Sequence, residues 1–113
     1  MVDTSLAQLE QMFRNMKNES GWNINSDLLW GYFFTDRNPQ KLRPLAHHLS
    51  ELGYRFVSIY ETNDRSTHFL HVERIETHTP ISLLKHTIQM NALANQFGVD
   101  SYDGMDVGPL PAT

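Results

Sequence analysis

The sequence predicts an α+β fold, a ferredoxin-like β-α-β-β-α-β plait with an antiparallel sheet, preceded by an extra N-terminal helix. Three observations predict it. Strand-like runs rich in aromatic and β-branched residues alternate with helical spacing in the order the plait requires. At Thr77-His78-Thr79-Pro80-Ile81 an extended run hands over to the longest helix. Asn63-Asp64-Arg65-Ser66 joins two strand-like runs as a hairpin connection. Right-handed crossovers would then put the first and third strands in the middle of the sheet.

From Thr4 to Ser20, Leu6, Leu9, Phe13 and Met16 recur at helical steps with Met12 beside them, which predicts an amphipathic helix stopped by Gly21. Trp22 to Asp27 is a turn-rich linker. Leu28 to Thr35 is an aromatic strand with large side chains on both faces, and Gly31 marks a bulge or a close contact in it. Asp36-Arg37-Asn38-Pro39 opens a second helix that ends at Gly53, with Leu42, Leu45, Leu49 and Leu52 as its buried stripe. Pro44 fits a helix that begins near Lys41 and otherwise predicts a kink. Tyr54 to Thr62 and His68 to Glu76 are the hairpin strands. Thr79 caps the next helix, Pro80 takes its first position, and Gly98 ends it after Phe97. Ser101 to Val107 is a short last strand, with the Asp103-Gly104 pair as a turn leading into it. The expected organisation is an N-terminal helix over 1–21, the plait over 22–108 and a short tail over 109–113.

At 113 residues the chain makes one domain, large enough to bury about two thirds of the surface it would expose unfolded. It has no cysteine, which removes disulfides, thiolate nucleophiles and Cys-ligated zinc. Asp3, Glu10 and the lack of a long apolar run predict neither a signal peptide nor a membrane span, and so a cytoplasmic protein. A net charge of −4 disfavours unspecific attraction to a phosphate backbone.

Apolar residues exceed what one fold needs. On the longest helix Ile81, Leu84, Ile88 and Ala92 form one face, expected to lie on the sheet. Leu83, Met90, Ala94 and Phe97 form nearly the opposite face, leaving Leu83, Met90 and Phe97 as candidates for self-association. In the hairpin's first strand Val57 and Ile59 point one way and Tyr54, Phe56 and Tyr60 the other. Either the N-terminal helix and tail cover the excess in a monomer, or the surface serves a protein partner.

Chemistry is sparsely encoded. His68, His71 and His78 lie on or near one strand, but positions 68 and 71 face opposite ways and no pair at the i, i+4 helical step of a zinc protease is found, so no metal is expected. His47 and His48 flank the leucine stripe, one partly buried and one solvated. There is no G-x-S-x-G and no Gly-rich phosphate loop, so no catalytic residue and no cofactor are assigned. Trp30, Tyr32, Tyr60 and Phe69 offer an aromatic platform of the kind that stacks RNA bases, against which stand the acidic balance and the missing basic partners.

Leu52-Gly53-Tyr54, the strand Phe69 to Ile75, Thr79-Pro80-Ile81 opening a helix that ends at Phe97-Gly98, and Tyr102-Asp103-Gly104 follow one another in an order and spacing that resemble the regulator of ribonuclease E activity B (RraB) family over about residues 28 to 108. The chain differs in having Met105 where members often have Trp, and Pro109-Leu110-Pro111-Ala112-Thr113 where well-known members carry an acidic tail. The resemblance implies a bacterial ferredoxin-like domain that inhibits ribonuclease E by protein–protein contact, without chemistry of its own. The candidate contact residues are Trp30, Tyr32, Tyr102, Asp103 and Met105. The competing class is an RNA or nucleotide binder using the open sheet face.

Overall fold

The computed structural model describes residues 5–110; Thr4 and residues 111–113 of the expected tail lie outside them. Three helices and four strands follow in the order α1 (Leu6–Asn15), β1 (Leu28–Asp36), α2 (Pro39–Glu51), β2 (Arg55–Glu61), β3 (His68–Glu76), α3 (Pro80–Phe97) and β4 (Ser101–Gly108). The sheet order is β2-β3-β1-β4, every neighbouring pair antiparallel, so the third and first strands are central.

The helix boundaries follow from their caps. Ser5 and Gln8 form a capping box at α1, the Ser5 side chain accepting from the Gln8 amide and the Gln8 side chain from the Ser5 amide. The expected continuous helix instead widens into a π turn over Met16–Ser20 before Gly21 ends it at φ 70°. Asn38 caps α2 by accepting from the Gln40 amide, and Pro39 takes the first position. The helix therefore starts ahead of Lys41, and Pro44 sits inside it on an exposed side. Leu52, expected in the buried stripe, is 51 % exposed. It is the C-cap, with ψ 1°, and so leaves the helical period that buries Leu42, Leu45 and Leu49. At α3, Thr79 and Ser82 form a second capping box, and Gly98 closes the helix at φ 68°.

One face of the sheet carries the core. Leu28, Trp30, Tyr32 and Phe34 of β1 alternate inward and meet Leu70 and Val72 of β3, under α2 and α3. Leu9, Phe13 and Met16 of the N-terminal segment join the same cluster, with the Phe13 ring 6.1 Å from Trp30. The buried face of α3 is the reverse of the expected one. Leu83, Met90 and Ala94 are within the core and Phe97 packs at its edge beside His48, whereas Ile81 and Ile88 are exposed. The reason is polar: His86 and Thr87 share the inward face, where Tyr54 receives the His86 ring and the Leu83 carbonyl receives the Thr87 hydroxyl. A face holding two polar residues looks outward by composition until their partners are known. Leu83 and Met90 therefore offer no surface for self-association.

Two bulges break simple alternation. In β2, Phe56 opposes Val72 and Ser58 opposes His71, so Val57 is the extra residue. Phe56 consequently lies on the core side of the sheet's edge with Ile59, and Tyr60 lies on the other face opposite Phe69, where one shared face had been expected. In β4 the register shifts between Gly104 and Tyr102, leaving Asp103 as the extra residue and Gly104 at φ 135°. Tyr102-Asp103-Gly104 is thus a bulge within the strand and not a turn leading into it. Among the described residues no helix is long and apolar enough to cross a membrane.

Candidate functional site

Among the described residues no helix lies over the second face of the sheet. Leu29, Gly31, Phe33 and Thr35 of β1 point there, opposite Ile75, Glu73, His71 and Phe69 of β3. Aromatic rings cross three strands in contact. Tyr60 stacks on Phe69 at 5.5 Å, Phe69 meets Phe33 edge-on at 6.4 Å, and Phe33 stacks on His71 at 4.4 Å. Tyr60 is 43 % exposed. A shallow groove runs from these rings to the β4 bulge, lined by Phe33, Tyr60, Phe69, Asp103, Gly104 and Met105.

Next along the face is a charged patch. Arg55 pairs with Glu73 across β2 and β3. Gly31 lets the Asp106 and His71 side chains lie close over the strand, since a Cβ there would clash with Asp106 Oδ1 and stand 2.9 Å from His71 Nε2. Burial, opposed by the Asp106 charge and reinforced by Arg55, lowers the His71 pKa below its ordinary value.

The sequence points to five contact residues. Asp103 lines the groove; Met105 borders it but pairs with Tyr32 and packs against the core; Tyr102 packs beneath it against Phe34 at 5.1 Å, its buried hydroxyl without a partner among the described residues. Trp30 and Tyr32 do not reach it: they are 1 % and 0 % exposed, because β1 is a central strand and its even positions face the helices. The aromatic platform accordingly consists of Tyr60, Phe69 and Phe33, and the sequence reading missed Phe33. The signal that could have found Phe33 is its odd position opposite the Trp30–Tyr32–Phe34 set.

A second cluster lies inside the core where β3 joins α3. Tyr32 donates to Glu76 Oε2, which lies 2.9 Å from His78 Nε2, and Arg74 Nε donates to Glu76 Oε1 at 2.6 Å. The Tyr54 hydroxyl is 2.7 Å from His86 Nε2, and Arg74 lies 3.8 Å over the Tyr54 ring. Burial disfavours the Glu76 charge, yet hydrogen bonds from His78, Tyr32 and Arg74 with the Arg74 charge bring its pKa down to about 2. Burial, partly offset by Glu76, lowers His86 to about 4 and keeps it neutral. Burial and the Glu76 hydrogen bond raise Tyr32. Of His68, His71 and His78, His71 lies on the open face and His78 in this cluster, where its neighbour is His86, a residue that no sequence motif marks.

A sheet sheltered on one side and bare on the other, with rings and charges ordered across the bare side, defines an open-faced α+β domain. The family model of regulator of ribonuclease activity B (RraB) matches residues 6–107, and the chain belongs to that family. No curated protein matches it. The family is one of regulators of ribonuclease activity.

Proposed function

We propose that the protein inhibits or modulates a ribonuclease E-like enzyme by docking on it through the open sheet face of a ferredoxin-like plait. The observation that carries this reading is the row Tyr60–Phe69–Phe33 running into the groove edged by Asp103 and Met105. The central β3 and β1 with antiparallel neighbours support the plait. Rings flanked by acidic groups suit a partner segment that brings apolar anchors and basic side chains, since aromatic anchors dominate docking energy and charge complementarity sets orientation. Asp103, an exposed acid, lines the groove with the rings, and Asp106, also exposed, lies over Gly31 beside His71. Inhibition by occlusion asks for no catalytic residue, and the proposed setting is the bacterial cytoplasm.

The same stacked rings favour one other reading, single-stranded RNA held by base stacking. RNA cleavage by purified ribonuclease E, measured with increasing protein and at two substrate concentrations, separates the two. Docking on the enzyme slows cleavage at a saturation set by the enzyme concentration. Sequestration of RNA slows it only in proportion to substrate, and that result overturns the proposal.

A further inference from the structure

We propose that Glu76, His78 and His86 bind one divalent transition-metal ion of the zinc class. One ligand atom of each lies within 4.8 Å of the others. Two imidazoles and a carboxylate are a donor set that suits zinc and its neighbours. Bonds of about 2.0–2.2 Å hold tetrahedral ligand atoms about 3.4 Å apart, so the widest gap closes by about 1.5 Å through side-chain rotation. Glu76 Oε2 and His78 Nε2 already stand 2.9 Å apart, and the Tyr32 hydroxyl, 3.1 Å from His78 Nε2, stands beside the remaining position.

The surrounding bonds hold the Glu76 carboxylate and the His78 ring in place. Ser82 Oγ is 2.9 Å from His78 Nδ1, which frees Nε2 for the cluster once the ring donates from Nδ1. Arg74 holds Glu76 Oε1 and leaves Oε2 turned toward His78. Independently, His86 is 6 % exposed and, among the described residues, its Nδ1 has no hydrogen-bond partner; with Nε2 donating to the Tyr54 hydroxyl 2.7 Å away, Nδ1 keeps a free lone pair. Its ring stands 4.4 Å from Tyr32 and 5.2 Å from His78. A buried ring nitrogen left unpaired is uncommon, and ligation gives it a partner. Access is through a groove between α1 and the start of α3, lined by Phe13, Arg14, Thr79 and Pro80, that reaches His78. A bound ion would tie β3 and α3 together under Tyr32. The site is in the core and independent of the docking reading, so either can fail alone.

The test is a titration of the chelator-treated full chain with Co²⁺, followed by visible absorption, then competition with Zn²⁺. The expected result is one Co²⁺ per chain with the intense bands of a tetrahedral site, displaced by Zn²⁺. His78→Gln and His86→Gln, shown folded by circular dichroism, weaken binding at least tenfold, and His71→Gln leaves it unchanged. No such absorption in the unmutated protein, or absorption that survives both substitutions or disappears with His71→Gln, overturns the proposal.

Discussion

Replacing Leu83 by alanine, and separately Ile88, decides which face of α3 holds the molecule together. Leu83 is 0 % exposed and Ile88 63 % exposed. Truncating Leu83 forfeits about 0.8 kcal/mol for each of three buried carbons, and the cavity left behind brings the cost to about 3 kcal/mol. Truncating Ile88 removes carbons that water already covers, and alanine is the better helix former, so the expected change is within about 0.5 kcal/mol. Urea unfolding followed by circular dichroism reads both, with equal slopes confirming that only stability has changed. In thermal scans the Leu83 variant should melt about 15 °C lower. A larger loss for Ile88→Ala than for Leu83→Ala would refute the assignment of the faces, and with it the burial of His86.

Further expectations follow from single contacts. Thr79→Ala removes half of the capping box at α3 and should cost about 1 kcal/mol by the same urea assay. His71, whose folded pKa is held below 6.5 chiefly by burial, binds its proton more readily in the unfolded chain. Its contribution to stability is therefore complete above pH 6.5 and is lost as pH falls through the lower folded value. An NMR titration of the ring should show that lowered midpoint, and Asp106→Asn should lower it again by removing the charge that opposes the shift. Gly31→Ala drives a methyl group into Asp106 and His71. Since the obstacles are side-chain ends that can swing aside, the cost should be about 1 kcal/mol, with displaced His71 ring signals as its mark.

Most of the framework is legible in local chemistry. Thr79-Pro80 and Gly98 delimit α3 because caps and φ restrictions act within a few residues, and the hairpin at Asn63–Ser66 is of the same kind. The orientation of α3 is not local. Its stripes are nearly equal in hydrophobicity, and the choice between them rests on Tyr54, which is 32 residues from His86 in sequence and reaches it only in the folded state. Trp30 and Tyr32 fail as contact residues for a similar reason. Aromatic composition does not state which parity of a central strand faces the helices, and an aromatic run with large groups on both faces reads alike either way. The Asp103 and Val57 bulges are equally silent, because an extra residue shows only against its partner strand. The groove between the bulge and the rings is therefore visible only once β4 and β1 are paired.

The most direct test of the docking account is the affinity of the protein for purified ribonuclease E, with Tyr60→Ala and Asp103→Lys beside the unmutated chain and Ile88→Ala as the control. The account predicts at least tenfold weaker binding, about 1.4 kcal/mol, for each of the first two, no change for Ile88→Ala, and unchanged binding after RNA is removed. Full affinity in both open-face variants, or binding that vanishes with the RNA, would contradict it.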